Sequence, residues 1–274
     1  MRGKFRSKPM EVIVAEVQEL AADGAKEINL IAQDTTSYGL DLYKKLVLDE
    51  LLAKLEPVKG VEWIRLLYCY PSYVTDRLMK EVARNPKIVK YVDMPIQHTR
   101  EGVLRAMRRG VTEQSQKDLV KKWRDTVPGL VFRTTVIVGF PGETEEDFQG
   151  MMDDLQAMRF ERLGAFMYSR EPNSRADALE GHLPEDVKIK RYGRVMQQQQ
   201  EIIFSQNRAL VNRTVPVLVE KKTGKNKWEG RTAGDAPDID TLISLHGNSV
   251  DVGSIARARV TGFNVYDLIG DLIA

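Results

Sequence analysis

Cysteine is almost missing from this sequence, because Cys69 is the only one among its 274 residues. A single cysteine excludes an intrachain disulfide and is typical of proteins from a reducing compartment, so we expect a cytoplasmic protein. Cys69 follows an apolar stretch, where a cysteine usually serves as a small buried hydrophobic residue. Histidine is scarce as well, and the spacing of its three copies predicts no metal site. They are His98, His182 and His246.

Long hydrophobic runs and an excess of one charge sign are missing too. No apolar run approaches the roughly 20 residues that span a membrane, and the basic residues 1–6 lack the apolar stretch of a signal peptide. The chain has 41 Lys and Arg against 39 Asp and Glu, and its net charge of +2 does not by itself argue for nucleic acid. A length of 274 residues with 42% hydrophobic content predicts two domains with ample core material.

Strand and helix patterns alternate through the first two thirds of the chain. Apolar, β-branched runs predict five strands, each followed by a helix: residues 26–32, 63–68, 88–93, 131–138 and 162–168. Such units build a parallel sheet with right-handed crossovers, either open or curled toward a barrel. The loops after the strands must share one rim, which is where α/β folds bind ligands. These loops are residues 33–39, 69–73, 94–99, 139–143 and 168–172.

The connection after the fourth predicted strand is the most informative of these loops. Val131–Val138 is apolar at most positions, as expected of a parallel strand that is covered on both faces. Gly139 and Gly142 permit backbone angles and close approaches that a side chain would block. Thr144 with Asp147 resembles a capping pair for the following helix. The pattern favours a ligand site, although this loop taken alone is equally compatible with a plain strand-to-helix connection.

The pattern changes in the last third of the chain. A long polar helix ends near Val211, and from Thr214 onward short strands follow one another with turn residues between them. Residues 223–226 give the clearest hairpin signal. About five strands in some sixty residues indicate a small closed antiparallel barrel of the oligonucleotide-binding type. We therefore predict two domains, residues 1–211 and residues 212–274.

Three loops and the terminal barrel, in this order, resemble the radical S-adenosylmethionine methylthiotransferases with a C-terminal TRAM domain. The loops are residues 32–39, 93–98 and 138–144, which read AQDTTSYG, DMPIQH and VGFPGET. The resemblance covers essentially the whole chain and implies an α/β fold, a partial (β/α) TIM-like barrel followed by the TRAM barrel. Residues 33–36 and 230–240 are similar to the branch that acts on small-subunit ribosomal protein twelve. The branch that acts on transfer RNA usually has a Gln-Asn-Val-Asn type loop at the first position.

The resemblance implies radical chemistry that is carried by cofactors. Members of the family reductively cleave S-adenosylmethionine at a four-iron four-sulfur cluster, and the radical abstracts hydrogen before a methylthio group is installed. In the ribosomal branch the acceptor is the β-carbon of an aspartate, and a second cluster helps to deliver sulfur. The implied partners are ribosomal protein twelve or the small ribosomal subunit and an electron donor. From composition and charge we expect no membrane and no strong transfer-RNA binding.

The sequence departs from the family at the cluster ligands. The family holds its cluster with a Cys-x3-Cys-x2-Cys loop, since such clusters need thiolates, and this sequence has no such loop. Residues 2–7 resemble the segment that follows the loop, so we expect the chain to begin just past it and to show no turnover by itself. A clusterless homologue that acts as a binding module is one alternative, and a transfer-RNA methylthiotransferase is the other.

The resemblance also implies which rim residues hold S-adenosylmethionine, but it assigns no catalytic residue. Glu143 and Gln97 are expected to hydrogen-bond the methionine or ribose part, while Ile137 and Tyr168 offer surface to adenine. His98 is either a cofactor or substrate contact or a residue that packs the loop. The full cofactor-binding set consists of Gln33, Asp34, Gln97, His98, Ile137, Gly139, Gly142, Glu143 and Tyr168.

Charge in the small barrel helps to choose between the two branches. Residues 212–274 carry eight basic and eight acidic residues, whereas a module that grips RNA normally shows a basic excess. The acidic run at Asp235, Asp238 and Asp240 suits a basic protein partner, so these three are the predicted partner-binding residues. A local group of lysines could still contact ribosomal RNA, namely Lys221, Lys222, Lys225 and Lys227.

Overall fold

Strands and helices follow one another in the computed structural model much as the sequence predicts. The structure describes residue 3 and residues 5–273. The helices are α1 (Met10–Ala22), α2 (Leu48–Leu55), α3 (Asp76–Arg84), α4 (Glu101–Ala106), α5 (Glu113–Thr126), α6 (Glu145–Met158) and α7 (Glu185–Leu210). The strands are β1 (Glu27–Leu30), β2 (Trp63–Leu66), β3 (Ile88–Asp93), β4 (Val131–Val138), β5 (Arg162–Met167), β6 (Thr214–Gly224), β7 (Lys227–Thr232), β8 (Ile243–His246), β9 (Ile255–Asn264) and β10 (Asp267–Ile273).

The first five strands form one parallel sheet in the order β1-β2-β3-β4-β5. Every neighbouring pair is parallel, and the longest register joins β4 to β5, from Arg133 opposite Arg162 to Val138 opposite Met167. Within the described residues, no antiparallel pair precedes Pro184. Sequential strand order with helical crossovers is the arrangement of an incomplete (β/α) barrel, so the prediction of five parallel strands is confirmed.

The helices cover one face of this sheet and form the main core with it. Ile64 and Leu66 of β2 are fully buried on that face, together with Phe132 of β4. Trp63 belongs to a separate cluster on the opposite face, because successive side chains of a strand point to opposite sides of the sheet. Cys69 lies in the main core, which confirms its interpretation as a small buried hydrophobic residue.

Helix α7 is the longest helix, with 26 residues. Its buried residues recur every three or four positions and form one stripe, while the rest of its surface is largely polar: Arg191, Val195, Gln199, Ile202, Ile203 and Asn207. In the described part of the chain, no helix has both the length and the apolar character needed to cross a membrane. The chain passes from helix to barrel between Leu210 and Thr214, and the predicted boundary at residue 211 stays a prediction.

The last five strands close into a small barrel in the order β10-β8-β7-β6-β9. The predicted hairpin joins β6 to β7, with Asn226 in the left-handed region at φ 54°. The prediction of a wholly antiparallel barrel is wrong at one pair, because β10 runs parallel to β8 from Leu268 opposite Ile243. An odd number of strands around a closed ring cannot alternate in direction throughout, so one neighbouring pair must be parallel.

The barrel packs on the face of the parallel sheet that the helices leave uncovered. Trp63 and Tyr91 of the sheet contact Leu218 and Ala236 of the barrel in one apolar cluster. Polar contacts surround it, and the guanidinium of Arg65 donates to the carbonyl of residue 233 at 3.0 Å. The barrel therefore covers residues of the sheet's inner face on β2 and β3.

Candidate functional site

The loops at the carboxyl ends of the strands are tied together by backbone hydrogen bonds. Thr35 donates its N–H to the carbonyl of Tyr68 at 3.0 Å, which joins the first two loops. Gln97 donates to Thr135 at 2.9 Å and accepts from Ile137 at 2.8 Å, forming an isolated parallel bridge beside β4. Tyr68 and Gln97 are non-glycine residues with left-handed φ angles of 55° and 69°. Such strain persists only where the surroundings fix it, so the rim is a rigid platform.

The loop between β4 and α6 is shaped by two glycines. Gly139 has a φ of 75°, and a Cβ there would lie 2.3 Å from Cγ of Lys188 on α7. Gly142 has a φ of 83°, but a Cβ there would meet nothing within 4 Å, so backbone conformation rather than space requires glycine. The predicted cap after the loop is confirmed, because Thr144 and Asp147 each accept the other's backbone N–H through the side chain.

Glu143 fixes this glycine loop by hydrogen bonds from inside the protein. Its Oε2 accepts the N–H groups of Gly139 at 2.8 Å and Phe140 at 3.3 Å, while Oε1 accepts Nη1 of Arg191 at 2.6 Å. Both side chains of this ion pair are almost completely buried. Burial raises the pKa of Glu143, and Arg191 and the two N–H groups act in the opposite direction. The carboxylate is thus engaged within the chain, and its hydrogen bond to a cofactor stays a prediction.

His98 is buried next to the same carboxylate. Its Nδ1 accepts the N–H of Arg100 at 3.0 Å, so we assign the ring proton to Nε2, which lies 3.8 Å from Oε2 of Glu143. Among the described residues, Nε2 has no hydrogen-bond partner. Burial lowers the pKa of His98 to about 4, which keeps the ring neutral at neutral pH. This geometry supports the interpretation as a residue that packs the loop, and a ligand contact stays a prediction.

A cavity of about 820 Å³ lies at this rim. Gln97 and Ile137 of the predicted cofactor set line it, with Phe140 from the glycine loop, Leu179 from the segment after β5 and Arg109 from the turn after α4. Apolar surface therefore lies beside a small number of polar groups. This size and this mixture are typical of pockets that bind small organic ligands.

A second cavity of about 710 Å³ shares Arg109 with the first. Gln33 and Asp34 line this smaller cavity. Asp34 also accepts the hydroxyl of Thr36 at 2.7 Å and the N–H of Ser37 at 3.3 Å, so it caps a short 3₁₀ turn. The structure thus divides the predicted set between two neighbouring cavities, and the ligand contacts of Gln33 and Asp34 stay predictions.

Tyr168 packs behind the wall of the larger cavity. Its ring lies edge-on to Phe140 with centroids 5.3 Å apart, and the ring of His182 lies 5.9 Å from it. The hydroxyl of Tyr168 is buried without a hydrogen-bond partner in the described part of the chain. Because Phe140 lines the cavity, Tyr168 supports the wall from outside, and its contact with adenine stays a prediction.

Three cationic residues of this site were not identified from the sequence: Arg109, Lys188 and Arg191. Arg109 carries a local signal, because residues 108–110 place two arginines and a glycine just after a short helix. Lys188 and Arg191 carry no such signal, because they belong to a helix that is distant in sequence. Arg191 is 48 residues from Glu143, its partner.

The larger cavity fits S-adenosylmethionine by the chemistry of its lining. Ile137 and Phe140 offer apolar faces to a base, Gln97 offers an amide, and Arg109 offers a buried Nε that lacks a hydrogen-bond partner among the described residues. A four-iron cluster does not fit the described residues. Cys69 is buried, burial raises the pKa of its thiol, and no group of three or more potential metal-ligating side chains occurs in residues 3 and 5–273.

Two of the three aspartates predicted to bind a partner, Asp235 and Asp240, are not available on the surface. This corrects the predicted partner-binding set. Asp235 is 1% exposed and accepts Nη2 of Arg162 at 2.6 Å, while Asp240 lies 3.5 Å from Nε of Arg133. Asp238 alone of the three is exposed. The physical reason is that arginines on the inner face of the sheet need counter-ions once the barrel covers them.

Two families of known proteins match this chain. Residues 1–155 match the Radical SAM superfamily, and residues 211–273 match the TRAM domain. The fold is similar to coproporphyrinogen III oxidase HemN from Escherichia coli, a radical SAM enzyme. That similarity has a TM-score of 0.52 at 15% identity and covers 72% of this chain and 45% of HemN, so it supports the fold alone.

Curated relatives are similar to the sequence over its whole length. One is "Ribosomal protein uS12 methylthiotransferase RimO" of Desulforamulus reducens, which is 45% identical over 275 residues, or 99% of this chain and 62% of the relative. A relative of the same name from Pelotomaculum thermopropionicum is 46% identical over 276 residues, or 100% of this chain and 62% of the relative. The chain therefore spans about three fifths of the length of these relatives.

Proposed function

This chain belongs to the Radical SAM superfamily and carries a TRAM domain, and from that premise we propose that it is part of a methylthiotransferase that acts on ribosomal protein uS12. The proposed reaction attaches a methylthio group to the β-carbon of an aspartate of that protein. Relatives named for this activity match the chain at 45% and 46% identity. Because the chain covers 62% of each relative, the activity is proposed for the whole enzyme.

The observation that carries the proposal is the larger cavity at the carboxyl ends of β3 and β4. Gln97 approaches it from the loop after β3 and Ile137 from the end of strand β4 before the glycine loop, and a backbone bridge joins the two segments. Gly139 begins the adjoining loop, which Glu143 holds through two N–H groups. A concave site that the fold has already rigidified binds a ligand with little loss of conformational entropy.

S-adenosylmethionine is the proposed ligand of this cavity, and together with an iron–sulfur cluster it supplies the radical that removes a hydrogen atom from the substrate carbon. The residues of this chain bind and orient it. Ile137 and Phe140 contact the base, Gln97 hydrogen-bonds the ribose, and Gly139 and Gly142 let the backbone approach the ligand. The clusters are proposed for the whole enzyme, through thiolates that the described residues do not supply.

The proposed partners are uS12 or the small ribosomal subunit and an electron donor, and the proposed location is the cytoplasm. Transfer RNA is the substrate of the second candidate function. One observation favours it, because Lys221, Lys222, Lys225 and Lys227 are exposed on the hairpin between β6 and β7. Four basic side chains on one exposed hairpin supply the kind of positive charge that neutralises RNA phosphates.

A methylthio-transfer assay tests the proposal. The chain is joined to the part of the Desulforamulus reducens relative that it does not cover, reconstituted with iron and sulfide, and incubated with S-adenosylmethionine, dithionite and purified uS12. We expect mass spectrometry to find one methylthio group on an aspartate of uS12 and none on bulk transfer RNA. Ile137→Asp should abolish the transfer, whereas Ile189→Asp on the exposed face of α7 should not. Modification of transfer RNA but not of uS12 would replace this proposal by the second candidate.

A further inference from the structure

Arg109 lines both cavities of the rim. Its guanidinium carbon lies 4.6 Å from the centroid of the Tyr70 ring, and Nη2 donates to the carbonyl of Pro95 at 2.7 Å. Its backbone N–H donates to the carbonyl of Leu104 at 2.9 Å, which closes the end of α4. Stacking on an aromatic ring and these hydrogen bonds hold the guanidinium in one position between the cavities.

This guanidinium has no counter-ion among the described residues. Its Nε is buried without a hydrogen-bond partner, and no described carboxylate forms an ion pair with it. Asp34 and Asp41 line the smaller cavity, but Asp34 accepts the N–H of Ser37 and Asp41 accepts the N–H of Ser7. Burial lowers the pKa of Arg109, but an arginine stays protonated in a protein, so Arg109 is a cation. Largely buried cations normally have a counter-ion, and this one has none among the described residues.

The larger cavity contains further positive charge beside Arg109. Arg108 and Arg175 line it together with Arg109, and no carboxylate belongs to its described lining. Both of these additional arginines are exposed to solvent. Like charges around one concave space attract an anion, and low-dielectric walls focus that attraction. Pro95 uses one of the five N–H donors of Arg109, which leaves donors for a planar anion.

We propose that Arg109 anchors the carboxylate of a ligand in the larger cavity. The identity of this ligand rests on the proposed function, which offers two sources for the carboxylate. It belongs either to the methionine part of S-adenosylmethionine or to the acceptor aspartate of uS12. A carboxylate matches the planar fork of a guanidinium, and Tyr70 and Pro95 orient that fork before the ligand arrives.

Chemical protection tests this inference on the chain as it is. Phenylglyoxal modifies accessible guanidinium groups, and peptide mass spectrometry measures the rate at Arg109 and, as the internal control, at exposed Arg105. S-adenosylhomocysteine and a uS12 peptide that contains the aspartate are the two carboxylate probes. Methylthioadenosine, which lacks the amino-acid part, and the asparagine version of the peptide are their matched controls. We expect at least one carboxylate probe to slow modification of Arg109, with neither control doing so and Arg105 unaffected.

The pattern of protection identifies the source. Protection by S-adenosylhomocysteine alone assigns the cofactor carboxylate, and protection by the aspartate peptide alone assigns the substrate carboxylate. Equal rates at Arg109 with and without both probes would overturn the inference, as would equal protection by the probes and their controls. Such a failure leaves the methylthio-transfer assay untouched, so it can be told apart from a failure of the proposed function.

Calorimetric titration of the probe that protects gives the size of the effect. Arg109→Gln should weaken its binding about tenfold to a hundredfold, since a hydrogen-bonded charge contributes that much. Arg109→Lys should recover only part of the loss, because an ammonium lacks the planar fork. Arg105→Gln should bind like the unsubstituted chain. Methylthioadenosine affinity that is unchanged in Arg109→Gln shows that the cavity is intact, and probe binding by that variant at full affinity would contradict the inference.

Discussion

Arg162 of the parallel sheet and Asp235 of the small barrel form an ion pair between the two domains, with 2.6 Å between Nη2 and Oδ1. The side chains are 12% and 2% exposed, and the hydroxyl of Thr241 adds a hydrogen bond to the same carboxylate oxygen at 2.7 Å. A second contact of the same kind joins Arg133 to Asp240 at 3.5 Å. The acidic run that suggested a protein partner in the sequence therefore connects the domains of this chain to each other.

Asp235→Asn should destabilise the fold by about 3 kcal/mol. The substitution leaves the guanidinium of Arg162 buried without its counter-ion, and breaking a buried pair by removing one partner costs about this much. Urea denaturation followed by circular dichroism measures the free energy of unfolding. The matched control is Asp238→Asn, since Asp238 is exposed and its removal should change the free energy by less than about 0.5 kcal/mol. Equal effects of the two substitutions would contradict the buried pair.

The two glycines of the loop after β4 should respond differently to alanine. Gly142→Ala should cost about 1 kcal/mol, because the new Cβ meets nothing and only the left-handed backbone is strained. Gly139→Ala should cost about 3 kcal/mol, because the same strain is joined by a collision with the side chain of Lys188.

Lys188→Ala provides the control for this pair. In the Gly139→Ala background it should return part of the lost stability, and in the unsubstituted chain it should not stabilise. A double-mutant cycle from urea denaturation measures that coupling. Additive effects of Gly139→Ala and Lys188→Ala would show that the collision with Lys188 does not determine the cost.

The neutral, buried ring of His98 should make the fold sensitive to mild acid. Burial lowers its pKa from 6.5 to about 4, so between these values the unfolded chain binds a proton that the folded chain does not. The contribution of His98 to the free energy of unfolding is fully present above pH 6.5 and decreases as the pH falls toward 4. At about pH 5 the decrease is about 2 kcal/mol. The effect is isolated by measuring the free energy of unfolding of the unsubstituted chain and of His98→Gln, first above pH 6.5 and then at about pH 5. An identical pH dependence of the two proteins would refute it.

Much of the fold follows from local sequence. Ile88–Asp93 and Val131–Val138 are strands with the predicted ends, because apolar, β-branched runs bounded by polar residues leave little choice of structure. The cap at Thr144 and Asp147 was also predictable, since its two residues lie three positions apart. The parallel pair between β8 and β10 was not predictable in this way. It arises because an odd number of strands closes the barrel, and a local sequence pattern does not show that closure.

The contacts of the site were less predictable because their partners are remote in sequence. Asp235 is 73 residues from Arg162. An acidic run on a turn predicts exposed side chains, and only the folded structure shows that the sheet covers them. Glu143 was placed on the correct loop, but its pairing with Arg191 depends on how α7 packs. Arg109 differs from these cases only in the signal of residues 108–110, which identifies a positive charge without revealing the cavities around it.

The crystal structure of this chain with S-adenosylhomocysteine tests the central claim most directly. We expect one ligand in the larger cavity, with its base against Ile137 and Phe140 and its ribose at Gln97. Glu143 should keep its hydrogen bonds to the N–H groups of Gly139 and Phe140. A ligand bound outside this cavity, or a cavity that stays empty at saturating ligand, would contradict the account.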